Sequence, residues 1–401
     1  MTRNVPLLAT CQALMMSGNS LLIATSALVG FALAEDKALA TLPLAAQFIA
    51  TMLTSIPAAL LMERIGRKPG FMLATLLGLA GGVIATLAIL NGEFWWFLLG
   101  AVLFGSFNGF GIYYRFAAAD AVDVEHKSRA ISYVMAGGVV AAVVGPNLAR
   151  FTRESVEGAL FAGSYASMIV IYMLALFTLS FIKLPPKPAA HAGQKAARPL
   201  KQIAAQPKFI VAITGATLGY AVMSLVMTAT PLAMHNHAYA FADTSFVIQW
   251  HVLGMFAPSF FTGQIIRRFG VLNVMFTGGL LGVACIVINL LGTSLWHFWG
   301  ALLLLGISWN FLFVGATTLL TETYRPNERA KTQAMNDFTV FTTVSIAILS
   351  AGALQHNLGW EVVNIGALPM LAIVLASIVW LRNKTANEVK IPTDAVQDAE
   401  V

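Results

Sequence analysis

Apolar residues run along this chain in long blocks separated by short polar breaks. They show neither the alternation of a strand nor the narrow stripe of a soluble amphipathic helix. Twelve blocks approach the ~20 residues that carry a helix across a bilayer. They fall at roughly 7–33, 40–62, 70–90, 94–116, 130–150, 160–182, 209–233, 244–266, 271–291, 295–320, 334–354 and 362–381. In lipid the backbone must satisfy its own polar groups, which a helix does within itself. The pattern therefore predicts an all-α membrane protein with twelve transmembrane helices. The first block is too long for a signal-peptide core and has no small-residue cleavage site behind it, so it counts as a span.

Composition strengthens this reading. Of 401 residues, 58% are hydrophobic and 10% charged, against roughly 25% charged in soluble domains, and the mean hydropathy is +0.77. The cations are unevenly placed. Arg64, Arg67, Lys68, Lys127, Arg129, Arg267, Arg268, Arg325, Arg329 and Lys331 follow even-numbered segments, and Lys183, Lys187, Lys195, Arg198, Lys201 and Lys208 lie between segments 6 and 7. The opposite side holds Lys37, Arg150 and Arg153. The positive-inside rule then makes both termini cytoplasmic. Topology thus accounts for the net charge of +6 without nucleic acid as a partner; the bilayer is the expected one. Cys11 and Cys285 fall inside apolar segments, where thiols pack and stay inert.

Pro185, Pro186, Pro188 and Pro199 interrupt a lysine-rich stretch. The chain divides into a six-helix bundle at 1–183, a cytoplasmic linker at 184–208, a second six-helix bundle at 209–381 and a polar tail at 382–401. The halves repeat. Glu63-Arg64-Ile65-Gly66 after segment 2 matches Arg267-Arg268-Phe269-Gly270 after segment 8, and Ser128-Arg129-Ala130 matches Glu328-Arg329-Ala330. Parallel six-helix repeats joined by a cytoplasmic linker resemble the major facilitator superfamily. The run Glu63, Arg64, Ile65, Gly66, Arg67, Lys68 is similar to that family's loop 2–3 signature, with Glu63 in place of aspartate. The resemblance implies a gating role for this loop and a central cavity that opens alternately to each side. Ala141-x-x-x-Gly145-Pro146 partly resembles the family's antiporter motif, departing from it at Ala149 and Arg150.

Candidate chemistry lies in segments 7 and 8. Met223 and Met227 form one i,i+4 pair and His251 and Met255 another, so each pair shares a helix face. At ~1.5 Å rise per residue both lie about 10–15 Å below the outer surface. Thioether and imidazole ligands suit Cu(I). The two pairs resemble those of CcoA-like copper transporters, with Ser259 where some members carry a further methionine. That resemblance implies import of copper across the bacterial cytoplasmic membrane for haem–copper oxidase assembly, with copper as cargo and no resident cofactor. Met234, His235 and His237 are expected in the outer loop as capture residues, and cytoplasmic thiols as acceptors. Met15, Met16 and Cys11 are expected to pack. Asp337 is the candidate proton carrier; otherwise it is a helix-start charge.

The alternative is a planar organic solute such as riboflavin, or drug/proton antiport. Phe110, Tyr113, Tyr114, Trp250 and Trp309 are candidates to stack on a ring. No hydrolytic triad, metal–carboxylate set or glycine-rich nucleotide loop points to an enzyme.

Overall fold

The computed structural model describes residues 3–123, 130, 133–184 and 198–389. One half comprises α1 (Asn4–Leu33), α2 (Leu42–Ile65), α3 (Arg67–Asn91), α4 (Phe94–Gly111), a short α5 (Tyr114–Asp120), α6 (Gly137–Thr152) and α7 (Ala162–Ser180). A five-residue α8 (Leu200–Ala204) precedes the other half: α9 (Pro207–Asn236), α10 (Phe241–Phe256), α11 (Ser259–Phe269), α12 (Val271–Leu291) and α13 (Leu295–Thr321). Two further helices, α14 (Lys331–Asn357) and α15 (Gly359–Thr385), join through Gly359 at φ 83°.

Eleven helices among the described residues are long and apolar enough to cross a membrane. Leu53, Ile56, Leu60, Phe177 and Leu291 point outward, where a soluble protein would carry charge. The segment expected at 244–266 is not one long helix. It divides into α10 and α11, of 16 and 11 residues, because Pro258 has no N–H to continue the ladder. Asn310 of α13 braces the break: its amide donates to the Met255 carbonyl and to Ser259 Oγ, both at 2.6 Å, and accepts from Thr262 Oγ1.

Two boundaries also differ from expectation. The linker folds at its far end, where buried Ile203 anchors α8 and Arg198 pairs with Glu328 at 2.7 Å. The expected polar tail begins as helix through Val389, with Arg382 held by Asn273 and lying over the Phe276 ring. Lys127, Arg129, Lys187, Lys195, the linker residues 185–197 and the tail residues 390–401 lie outside the described residues.

The repeat is visible in the backbone. Gly66 (φ 91°, ψ 156°) and Gly270 (φ 84°, ψ 147°) make the same left-handed turn after α2 and α11, a conformation that favours glycine. In the first half α2 crosses α4 so closely that a β-carbon on Gly105 would lie 2.1 Å from the Gln47 carbonyl oxygen. In the second half α10 crosses α13 alike, with Gly306 2.3 Å from that of His251. Such small-residue crossings hold helices together where lipid offers no hydrophobic drive. Between halves, α6 packs on α10, and α2 on α14. Helix α1 touches α2, α4, α6 and α7 of its own half and α9 and α10 of the other, so it is central.

Candidate functional site

Met223, Met227 and Met255 are buried in one apolar cluster of the second half. His251 is fully buried, and its Nδ1 lies 2.8 Å from the Leu302 carbonyl oxygen. A carbonyl only accepts, so Nδ1 carries the hydrogen, and Nε2 of the neutral ring offers a lone pair that meets no partner. The expected outer capture cluster is not a loop, because α9 continues through Asn236. Met234 is sealed in the core, His235 lines a cavity, and His237 Nδ1 contacts the Ala233 carbonyl at 2.8 Å. Among the described residues no three His, Cys, Asp or Glu side chains gather as a metal group. Met15 and Cys11 lie in the first half's core, as expected.

The polar interior of the first half is an amide cluster. Asn19 Oδ1 on α1 accepts from Gln47 Nε2 at 3.2 Å and from Asn108 Nδ2 at 2.8 Å. The oxygens of Gln47 and Asn108 are buried and meet no partner. Asn19 keeps partial exposure.

The second half answers with aromatic rings. Trp309 of α13 stacks on Phe313, with centroids 5.0 Å and planes 9° apart, and meets Tyr220 of α9 edge-on at 5.3 Å. Phe256 lies 6.1 Å away and presses on Gly138 of the first half. Trp309 Nε1 is buried without an acceptor. The other ring candidates lie elsewhere. Phe110 and Tyr114 fill the first half's core, Tyr113 donates to the Ser55 carbonyl, and Trp250 sits outward against Phe246 and Trp299. Gln47 escaped notice in the sequence, although Gly66 and Gly270 are 204 residues apart and that offset carries Gln47 onto His251.

At the other end, the loop 2–3 motif bridges helices. Arg67 pairs with Asp120 at 2.7 Å, and Lys68 Nζ donates to the Ser180 carbonyl at 2.6 Å. Glu63, Arg64 and Gly66 are exposed beside a cavity of about 730 Å³. Asp337 is exposed, within electrostatic reach of Arg115 and Tyr113 from the first half.

Two matched helical halves enclosing unpaired polar atoms and rings define a membrane carrier. The sequence profile of the Major Facilitator Superfamily matches residues 8–335 and 212–398, and the chain belongs to that family. The riboflavin transporter RfnT of Brucella anthropi is 43% identical over 378 residues, covering 94% of this chain and 95% of that protein. An MFS-type transporter of Bacillus subtilis, YddS, is 24% identical, covering 79% and 77%. The fold is shared with a D-xylose–proton symporter (TM-score 0.72, 12% identity, 94% and 96% covered). It is shared too with the xylose transporter XylE of E. coli in a partially occluded inward-open conformation (0.68, 11%, 92% and 96%). The close likeness to a riboflavin transporter overturns the expectation of copper import, and with it copper as cargo and a part in oxidase assembly. Ligand types at helical spacing, as in the methionine and histidine pairs, also describe a packed core.

Proposed function

We propose that this chain carries a planar heteroaromatic solute of the riboflavin type across the bacterial cytoplasmic membrane by alternating access. The observation that carries the proposal is the 43% identity to a riboflavin transporter along 94% of the chain. The Trp309–Phe313–Tyr220 group supports it, since stacked rings bind planar ligands through face and edge contacts. In this reading α10 and α11 together make an eighth span, giving twelve, and both termini are cytoplasmic. The loop 2–3 motif gates, and Asp337, which senses Arg115 of the other half, couples transport to protons.

The test is growth and [14C]riboflavin uptake in a riboflavin-auxotrophic bacterium that lacks its own flavin carrier. Growth at micromolar riboflavin, competed by other flavins, is expected. Equal growth with and without the chain would refute the reading.

A further inference from the structure

The amide cluster of the first half has a bonding pattern that helix packing does not require. Asn19 Oδ1 takes one N–H from Gln47 and one from Asn108, at 3.2 Å and 2.8 Å. An oxygen with two lone pairs is thereby filled. Gln47 and Asn108 must turn their nitrogens toward Asn19, which points both carbonyl oxygens away from it. Gln47 is 4% and Asn108 8% exposed, and neither oxygen finds a partner. Each amide nitrogen also keeps a second hydrogen. An unmet buried acceptor is costly, so both oxygens are open to a partner that the helices themselves do not supply.

Position adds a second argument. Gln47 sits where α2 crosses α4, its carbonyl 2.1 Å from where a β-carbon on Gly105 would lie, and His251 sits at the matching crossing of α10 and α13. His251 Nε2 and Trp309 Nε1 are likewise buried and unpartnered. Equivalent places in the two halves thus hold unmet polar atoms, acceptors in the first and an indole donor and imidazole lone pair in the second. Carriers of this architecture place their solute where the two repeats meet, near the middle of the membrane.

We infer that Gln47 and Asn108 read the imide edge of a planar heterocycle, with Asn19 as the positioning residue that orients both. An imide presents C=O, N–H and C=O in a row. A carboxamide meets part of that row with its oxygen on the N–H and its nitrogen on a carbonyl, the two-point geometry by which Asn and Gln read a base edge. The substrate class rests on the flavin-type reading above; the imide is the portion of that class these side chains recognise. The imide has one N–H, so one of the two carboxamide oxygens takes it; a site built this way rejects an analogue whose N–H is replaced, since that acceptor is then left unmet.

The experiment compares riboflavin with 3-methylriboflavin, which differs at the imide nitrogen alone. In wild type the methylated compound is expected to compete at least about tenfold more weakly for uptake. Gln47→Leu and Asn108→Leu are expected to raise the riboflavin KM about three- to tenfold and leave the affinity for 3-methylriboflavin unchanged, erasing the preference. Asn19→Leu is expected to erase it too, although Asn19 has no direct role with the solute. A merely structural contribution would weaken both compounds alike. Equal competition in wild type, or a preference that survives in all three variants, overturns the inference while flavin uptake stands.

A second measurement needs only purified wild-type protein: thermal stabilisation by lumichrome against 3-methyllumichrome. It covers variants that do not fold, and it separates the two proposals. Absence of riboflavin uptake with a lumichrome preference retains the imide site and refutes flavin transport. No preference for the free imide in this measurement overturns the site.

Discussion

Replacing Gly306 by alanine tests the crossing on which the second half is built. A β-carbon there would sit 2.3 Å from the His251 carbonyl oxygen, 2.9 Å from the Met255 nitrogen and 3.0 Å from the Gly254 carbonyl carbon. These are backbone atoms, so no flexible side chain can yield. To bring the shortest contact to 3.0 Å, α10 and α13 must part by about 0.7 Å, a strain of the overpacking kind that costs ~1–3 kcal/mol. Two hydrogen bonds span the gap, His251 Nδ1 to Leu302 and Asn310 Nδ2 to Met255, at 2.8 and 2.6 Å. Stretching them costs about 1 kcal/mol more each at most. Alanine's helix preference returns ~1 kcal/mol. The expected net loss is about 2 kcal/mol. Gly300 lies on the same helix with nothing within 4 Å of its notional β-carbon, so Gly300→Ala should gain up to ~1 kcal/mol. Thermal unfolding of the two purified variants in one detergent is the assay. A Gly306→Ala protein that melts as high as Gly300→Ala would refute the close crossing as the source of stability.

Replacing Met223, Met227 and Met255 together by leucine conserves volume in the buried cluster. It should cost under ~1.5 kcal/mol per site and leave flavin uptake intact; abolished uptake in folded protein would contradict a packing role. Arg198 donates to Glu328, and the backbone N–H groups of Arg325 and Arg198 add to it, holding that carboxyl well below the usual range although burial opposes this. A depressed folded value stabilises above the ordinary ~4.3 and is lost as pH falls through the folded value. Protection of the amides of residues 198–206 from hydrogen exchange, corrected for intrinsic rate, should therefore hold from neutral pH to about 4.5 and erode below; Glu328→Gln should lower it throughout. Arg153 lies 5.5 and 5.4 Å from the rings of Phe161 and Phe241, which meet at 4.9 Å across the halves. Phe241→Ala should remove about 2 kcal/mol from this contact, the lock between the halves, shifting the balance roughly thirtyfold toward opening. Labelling of Ala32→Cys, in the cavity beside these rings, by an impermeant thiol reagent should quicken in the Phe241→Ala background; an unchanged rate would refute the lock.

The architecture was legible because its determinants are local and repeated. Apolar run length marks a span, Gly66 and Gly270 mark equivalent turns, and basic loops alternate with bare ones. The break at Pro258 was signalled by the residue but hidden by the unbroken hydrophobicity around it. What spans that break is Asn310, contributed from 51 residues away, and no local pattern announces such a partner. The site was less legible for the same reason. Residue types at i,i+4 spacing say which side chains share a face, and they did place Met223, Met227 and Met255 together. They do not say whether that face is a core or a cavity, because a methionine is equally at home in both. The amide cluster reverses the case. Asn19, Gln47 and Asn108 are polar residues in apolar helices, but the meaning of all three depends on a shared acceptor that exists only once α1, α2 and α4 meet. The repeat offers a remedy. Carried across the 204-residue offset between Gly66 and Gly270, His251 marks Gln47 as its counterpart, so a residue that drew attention in the second half also points to one overlooked in the first.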